Sequence, residues 1–150
     1  MAKREPPLVF TLVVTWFEPS RDETPRLPVP NLAALRRLLT PYRDHKRLVV
    51  CLDLDEGEAG SVWVHLTDGR AWVTHFTQSG GADSYCRDES YRGDEMVGFL
   101  LNNGQLDEIH RYWTVTRAKG LRALEYFLLH RSQDPSLSWV AEPPSLQEPA

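Results

Sequence analysis

Acidic side chains are concentrated in the middle of this sequence, and aromatic side chains lie among them. Residues 53–108 carry 12 acidic and 3 basic side chains, a net charge of −9, whereas residues 1–52 carry +4 and residues 109–150 carry +1. An acidic surface attracts a basic partner, raises the association rate and sets specificity, and aromatic side chains are typical anchors of an interface. The candidate partner-binding residues are Asp53, Asp55, Glu56, Glu58, Asp83, Tyr85, Asp88, Glu89, Tyr91, Asp94 and Glu95.

A second interpretation of this acidic segment stays open. A run of charge is often a solvated face that only keeps a protein from aggregating. Its aromatic residues, Trp63, Trp72, Tyr85 and Tyr91, fit a buried core as well as an interface. Charge arithmetic therefore predicts an acidic face without deciding whether a partner uses it.

One pair of carboxylates has a spacing that supports catalysis. The apolar run from residue 48 ends in Asp53-Leu54-Asp55, which resembles the first motif of the haloacid-dehalogenase-type phosphohydrolases. The resemblance implies that Asp53 attacks phosphorus, that Asp55 is the general acid, and that both help to hold Mg²⁺. Gly57 stands where that motif has Thr or Val, the later motifs have no clear match, and the family needs a parallel sheet. A phosphohydrolase is therefore kept as an alternative only.

No further motif for metal binding or catalysis is found. With Asp53 at position 1 of a calcium-binding loop, Glu58 occupies the position that requires glycine and Val64 the position that requires glutamate. His65 and His75 lie on one predicted hairpin, but strand alternation places them on opposite faces, so they cannot share a metal. We predict no catalytic residue, no metal and no cofactor.

Length and composition indicate a single domain over residues 1–141, followed by a disordered, Pro-rich tail over residues 142–150. The net charge of −4 has the wrong sign for a dedicated nucleic-acid binder. No apolar run approaches the ~18 residues that a membrane helix needs. Cys51 and Cys86 indicate free thiols in a reducing cytosol, with a single disulfide as the alternative. We therefore expect a cytoplasmic protein that contacts neither membrane nor nucleic acid directly.

Hydrophobic periodicity predicts strands, most of them joined by hairpins, and two helices. Residues 8–17 alternate as a strand rather than as a signal peptide, and residues 18–30 are expected to form an extended loop. Asn31 is the predicted N-cap of a helix over residues 32–39. Asp68-Gly69 and Asn103-Gly104 predict two-residue hairpin turns. Further strands are predicted over residues 48–54, 62–66, 70–76, 96–102, 105–110 and 137–141.

A second helix is predicted over residues 116–130. Its buried side is expected to carry Ala118, Leu121, Leu124, Phe127 and Leu128. Hairpins favour an antiparallel sheet, and two helices must cover one of its faces. The predicted fold class is α+β, a mainly antiparallel, hairpin-built sheet with two helices packed on one face.

The last third of the domain carries a recognisable order of motifs. A strand over residues 96–101 meets the turn Asn102-Asn103-Gly104-Gln105, a return strand leads to the helix over residues 120–128, and the short strand Leu137-Ser138-Trp139-Val140 follows Pro135. This order resembles the first-described family of bacterial immunity proteins, which is associated with deaminase-type toxins of polymorphic toxin systems. His130-Arg131-Ser132 stands where that family usually has glycine.

The resemblance implies a small cytoplasmic protein that binds one cognate toxin and blocks it without catalysis. Toxins that act on nucleic acids or nucleotides have basic clefts, which an acidic face would fit. We therefore expect an immunity protein that neutralises a secreted toxin, a nucleic-acid or nucleotide deaminase with a basic face, by stoichiometric occlusion. The alternatives are the phosphohydrolase and a non-enzymatic small-ligand or interaction module, which would form a real pocket at the hairpin faces.

Overall fold

The computed structural model describes residues 10–15, 25–54, 60–77, 84–101 and 104–141. Within these ranges the chain forms ten strands and two α-helices. They are β1 (Phe10–Thr15), β2 (Arg26–Val29), α1 (Leu32–Leu39), β3 (Leu48–Leu54), β4 (Ser61–Leu66), β5 (Arg70–Phe76), β6 (Ser84–Arg87), β7 (Met96–Leu100), β8 (Leu106–His110), β9 (Val115–Thr116), α2 (Arg117–His130) and β10 (Ser138–Val140). Within the described residues, no helix has the length and apolar character needed to span a membrane.

Eight of these strands form one antiparallel sheet. Its order is β10-β6-β5-β4-β3-β1-β2, and β9 pairs with one end of β5. Strands β7 and β8 form a separate two-stranded sheet. The α+β fold class and the antiparallel, hairpin-built sheet are therefore confirmed. The predicted tail over residues 142–150 lies outside the described residues.

The core lies between one face of the large sheet, called here the helix face, and the two helices. It is mostly aliphatic, and in the strands it takes alternate residues such as Leu12, Val50 and Val64. Helix α2 packs across β4 and β5, and α1 contacts α2 and β2. At the closest approach, a Cβ added to Gly120 would lie 2.4 Å from Ala71 Cβ. Glycine at this position therefore sets how near α2 comes to the sheet.

Helix α1 begins where the sequence predicts, whereas the side of α2 that faces the sheet differs slightly from the predicted one. Asn31 caps α1, since its Oδ1 accepts a hydrogen bond of 2.8 Å from the Ala34 N–H. In α2 the prediction that Ala118 is buried is wrong, because it is exposed. Gly120 and Ala123 are buried instead, because small residues let the helix approach β4 and β5 closely.

Strand β2 lies within the stretch that was expected to be a loop, so that expectation is wrong for residues 26–29. Pro28 lowers the strand signal, but β2 is the edge of the sheet, where proline costs no ladder hydrogen bond. Its register with β1 places Pro28 opposite Thr11. The remaining predicted loop residues lie partly outside the described ranges.

The two predicted hairpins differ in how well the turn residues define them. In β4–β5, Leu66 pairs with Ala71 as the Asp68-Gly69 turn predicts. In β7–β8, the Leu101 N–H donates to the Gln105 carbonyl at 2.7 Å. The loop therefore holds three residues, and the two-residue turn predicted for Asn103-Gly104 is wrong by one position. Gly104 has φ of +86°, typical of a three-residue hairpin that ends in a left-handed residue.

Candidate functional site

The face of the large sheet opposite the helices, called here the open face, carries large aromatic side chains. Strand register places Trp63 and Tyr85 on either side of Thr74, on the two strands that flank β5. Trp72 and Phe76 precede and follow Thr74 by two residues, so all share its face. We call Trp63, Trp72, Phe76 and Tyr85 the aromatic box.

The aromatic box encloses a concave groove of about 410 Å³. Thr74 forms its floor and is only 3% exposed, whereas Phe76 is 38% exposed. The rings of Trp63 and Phe76 meet edge to face with centroids 6.3 Å apart. The Trp63 indole N–H donates to Ser61 Oγ at 3.2 Å, so that wall is held in place. Large apolar rings that remain partly exposed around a small floor are typical of a binding groove.

His65 extends the groove at the side of Trp72. Their rings are stacked at a tilt with centroids 4.9 Å apart, and Phe99 of the β7–β8 hairpin packs against Trp72. Burial lowers the pKa of His65 to about 4, although a hydrogen bond with the Trp72 backbone acts in the opposite direction. His65 is therefore neutral at pH 7. Among the described residues, neither His65 Nδ1 nor the Trp72 indole N–H has a hydrogen-bond partner.

The predicted partner-binding residues that the structure describes fall into two groups, one on β3 and one on and after β6, and in the second group Asp88 and Glu89 line a separate hollow with Lys119 of α2 and Ser138 of β10. Asp53 lies on β3 opposite Ser61 and Thr11, and its side chain shares the open face. Tyr85 is itself a wall of the box. Five others follow β6 and precede or adjoin β7, in residues 88–95, called here the acidic loop. The predicted residues Asp55, Glu56, Glu58 and Asp83 lie outside the described residues.

Arginines neutralise most carboxylates of the acidic loop. Arg70 lies 3.6 Å from Asp88, Arg87 lies 2.7 Å from Glu89, and Arg111 lies 2.9 Å from Glu95. Two of these pairs join the loop to residues distant in sequence, Arg70 and Arg111, whereas Arg87 and Glu89 are two residues apart. Among the described residues Asp94 forms no ion pair, so it is the acid of this loop that is free to meet a partner.

Hydrogen bonds within the acidic loop add to these pairs. The Ser90 N–H and hydroxyl both donate to Asp88 Oδ1, at 3.1 and 2.6 Å. Burial raises the pKa of Asp88, but these hydrogen bonds and the charge of Arg70 outweigh burial and lower it. The hydroxyl of Tyr91 accepts from the Glu95 N–H, and the Arg111 guanidinium lies over the Tyr91 ring. Tyr91 is therefore bound within the loop rather than directed into the groove.

The alternative site at Asp53 does not have the setting that a phosphohydrolase motif needs. Strand β3 pairs antiparallel with both β1 and β4, whereas that family needs a parallel sheet. Asp55 lies outside the described residues. Among the residues that the structure describes, no three His, Cys, Asp or Glu side chains are close enough to hold a metal ion.

The two cysteines are free and buried. Cys51 lies on the open face opposite Trp63, whereas Cys86 belongs to the core on the helix face. Burial, and then the charge of Asp53, raise the pKa of Cys51 to about 12. The single disulfide that the sequence left open is therefore absent, and neither thiol is ionised at neutral pH.

The sequence pattern indicates that Trp63, Trp72 and Tyr85 belong either to a core or to an interface. It gives no sign that Phe76 or Thr74 belongs to a site. The signal that would have found the groove is strand register. Once Asp68-Gly69 fixes the hairpin, Trp63 must lie opposite Thr74 and Phe76 two residues beyond it. The position of Tyr85 in the groove depends on the pairing of β6 with β5, which no turn signal in the sequence predicts.

No model of a known protein family matches this sequence, and no curated protein matches it either.

Proposed function

We propose that this protein neutralises a secreted bacterial toxin with a basic face, as an immunity protein, by binding it stoichiometrically through the open face. One observation carries the proposal. The aromatic box is concave and partly exposed, it shares the open face with Asp53, and its wall Tyr85 lies on β6, the strand that leads into the acidic loop. An aromatic centre with a charged rim is typical of protein interfaces.

The ion pairs of the acidic loop support this function in a specific way. Two of them connect the loop to Arg70 and Arg111 in other parts of the fold, and a surface that is ordered before binding loses little conformational entropy on binding. The segment from residue 53 to 108 still has a net charge of −9. Its field speeds the approach of a basic partner even though single carboxylates are paired.

Neutralisation then follows from coverage of the toxin's cleft. A stable complex buries about 800 Å² on each partner, which is more than the groove alone offers and so includes the acidic loop. A deaminase that acts on nucleic acid or nucleotides must admit an anionic substrate to a basic cleft. An acidic, aromatic face seated on that cleft excludes the substrate without any reaction.

The test is co-purification with the C-terminal domain encoded by the gene immediately upstream. The domain is produced as a catalytically inactive variant, so that the host survives. We expect a one-to-one complex, and we expect co-expression of this protein to protect cells from the active domain. Failure to form a complex at micromolar concentrations would contradict the proposal.

A small-ligand module is the second candidate, and the groove itself favours it. That alternative predicts a real pocket at the hairpin faces, and about 410 Å³ is enough for a small molecule. The two candidates separate in the co-purification experiment. A ligand module would form no complex with the upstream domain and would retain a small molecule through native purification, detectable by mass spectrometry.

A further inference from the structure

The aromatic box surrounds one small residue on four sides. Trp63 and Tyr85 lie in register with Thr74 on the neighbouring strands. Adjacent strands are about 4.8 Å apart, so these two residues stand about 10 Å from each other. A group centred above Thr74 therefore lies between these two residues, in the groove of about 410 Å³ that they line with Trp72 and Phe76, and aromatic rings attract a cation that comes within roughly 6 Å of a ring face.

The charges around the aromatic box favour a cation over an anion or a neutral group. Asp53 shares the open face and lies in the same cross-strand row as Ser61 and Phe76. On the opposite side, Arg87 follows Tyr85 by two residues, but Glu89 binds its guanidinium and the ring of Tyr112 lies beneath it. The Arg87 guanidinium is thus already compensated, and His65 is neutral.

We propose that the aromatic box binds one cationic side chain of the partner protein, arginine in preference to lysine. This inference rests on the proposed function only for the partner being a basic protein. The guanidinium is planar and weakly hydrated and stacks on aromatic faces, whereas the lysine ammonium is compact and strongly hydrated. A groove lined by four aromatic side chains and floored by Thr74 offers aromatic surface on which a planar cation can stack.

The inference also explains why a basic partner would seat on this face. Most carboxylates of the acidic loop already have arginine partners, so they offer few free acceptors to a second arginine. The faces of aromatic rings do not lose their attraction for a cation when nearby carboxylates are paired. An arginine anchored in the box would therefore fix the register of the complex.

The experiment is an NMR titration of the full chain with two small probes in place of the partner. Nα-acetyl-arginine amide carries the cation, and Nα-acetyl-citrulline amide has the same shape without charge. We expect saturable shifts of the Trp63 and Trp72 indole N–H signals with the arginine probe at millimolar concentrations. The citrulline probe should bind about tenfold more weakly.

Variants locate the effect. Trp63→Leu keeps an apolar side chain but removes the ring, and the arginine shifts at Trp72 should weaken severalfold. Leu129→Ala, at an exposed position on α2, should leave the titration unchanged. Folding of each variant is checked by the dispersion of its amide spectrum.

Three results would overturn the inference. Equal binding of both probes would exclude a role for charge, no shift with either probe would exclude a site, and an unchanged titration in Trp63→Leu would place the site elsewhere. Because no partner is present, this outcome is independent of the proposed function. A failed titration beside an intact toxin complex removes the arginine site alone, and a positive titration without a toxin complex removes the toxin alone.

Discussion

The helix face and the open face of the large sheet differ in what their side chains are and in what covers them. On the helix face, mostly aliphatic residues such as Leu12 and Val64 alternate along the strands and are completely buried in the core. On the open face, bulky rings stand around a small threonine and stay partly exposed. Both faces use the same strand period, so alternation alone does not tell a core face from a binding face.

Side-chain size and the completeness of burial distinguish the helix face from the open face. Where α2 comes nearest to the helix face, two small residues meet, Ala71 on β5 and Gly120 on α2, so the helix can cover this face closely. The open face has its small residue in the centre of large ones, which leaves a groove that no described element fills. The helix face can therefore be covered completely, whereas the open face keeps a groove.

The largest loss of stability is expected from a substitution in the core between α2 and the helix face. Phe127 is fully buried and meets Phe10 edge to face at 5.5 Å. Phe127→Ala should lower the free energy of unfolding by about 3–5 kcal/mol, measured by urea denaturation. Trp63→Ala on the open face should cost about 1–2 kcal/mol, because its ring is partly solvated already. Equal losses would mean that the aromatic box is part of the core.

The next effect is a pH dependence that arises at the border of the open face. The folded pKa of His65 is about 4, below its ordinary value of 6.5. The unfolded chain therefore binds the extra proton first, and stability is complete above pH 6.5 and falls as the pH drops towards 4. The loss amounts to about 3 kcal/mol.

His65→Leu supplies the control for that pH dependence. Urea denaturation of both proteins between pH 7 and pH 4 gives the difference between their unfolding free energies. This difference should change across the window, since other titrating groups contribute equally to both. A difference that is constant with pH would mean that the pKa of His65 in the folded protein equals its ordinary value, which would contradict the prediction.

A smaller effect tests the closeness of α2 to the sheet. Alanine favours a helix over glycine by about 1 kcal/mol, yet Gly120→Ala should destabilise the protein by about 1–3 kcal/mol because its Cβ would overlap Ala71. Ala118→Gly, at an exposed site in the same turn, should cost about 1 kcal/mol through helix propensity alone. Stabilisation by Gly120→Ala in thermal unfolding would show that the interface can relax.

The smallest stability effects are expected in the acidic loop, where Asp88 and Asp94 can be compared. Asp88 accepts two hydrogen bonds from Ser90 and faces Arg70, so Asp88→Asn should cost about 1 kcal/mol of stability. Asp94→Asn should change stability by less than about 0.5 kcal/mol, because Asp94 forms no ion pair within the described residues. Urea denaturation of the two variants checks both values, and a larger cost at Asp94 would contradict the assignment of roles.

Local signals predicted most of the fold. Asn31 defined the start of α1, and Asp68-Gly69 defined the β4–β5 register, because each works through its own neighbours in sequence. The errors came where distant contacts decide. Pro28 is tolerated only because β2 is an edge strand, and the buried side of α2 is set by where Ala71 lies on β5.

The candidate site was predictable in its charges but not in its shape. Asp88 and Glu95 were recognised as acids, but their partners Arg70 and Arg111 come from other parts of the chain and become their neighbours only through folding. The groove likewise needs three strands side by side, and the pairing of Tyr85 with Thr74 has no local turn signal. Residue types gave the chemistry, and long-range register gave the site.

The most direct test of the account compares three affinities for the domain encoded by the gene immediately upstream, in its catalytically inactive form. Calorimetry would measure the dissociation constant for the unmodified protein, for Trp63→Ala combined with Tyr85→Ala, and for Leu129→Ala on α2. Since anchors at an interface centre each contribute at least 1–2 kcal/mol, the account predicts binding weaker by about 100-fold for the double variant. It predicts no change for Leu129→Ala, and the reverse pattern would place the interface on the helix side and contradict the account.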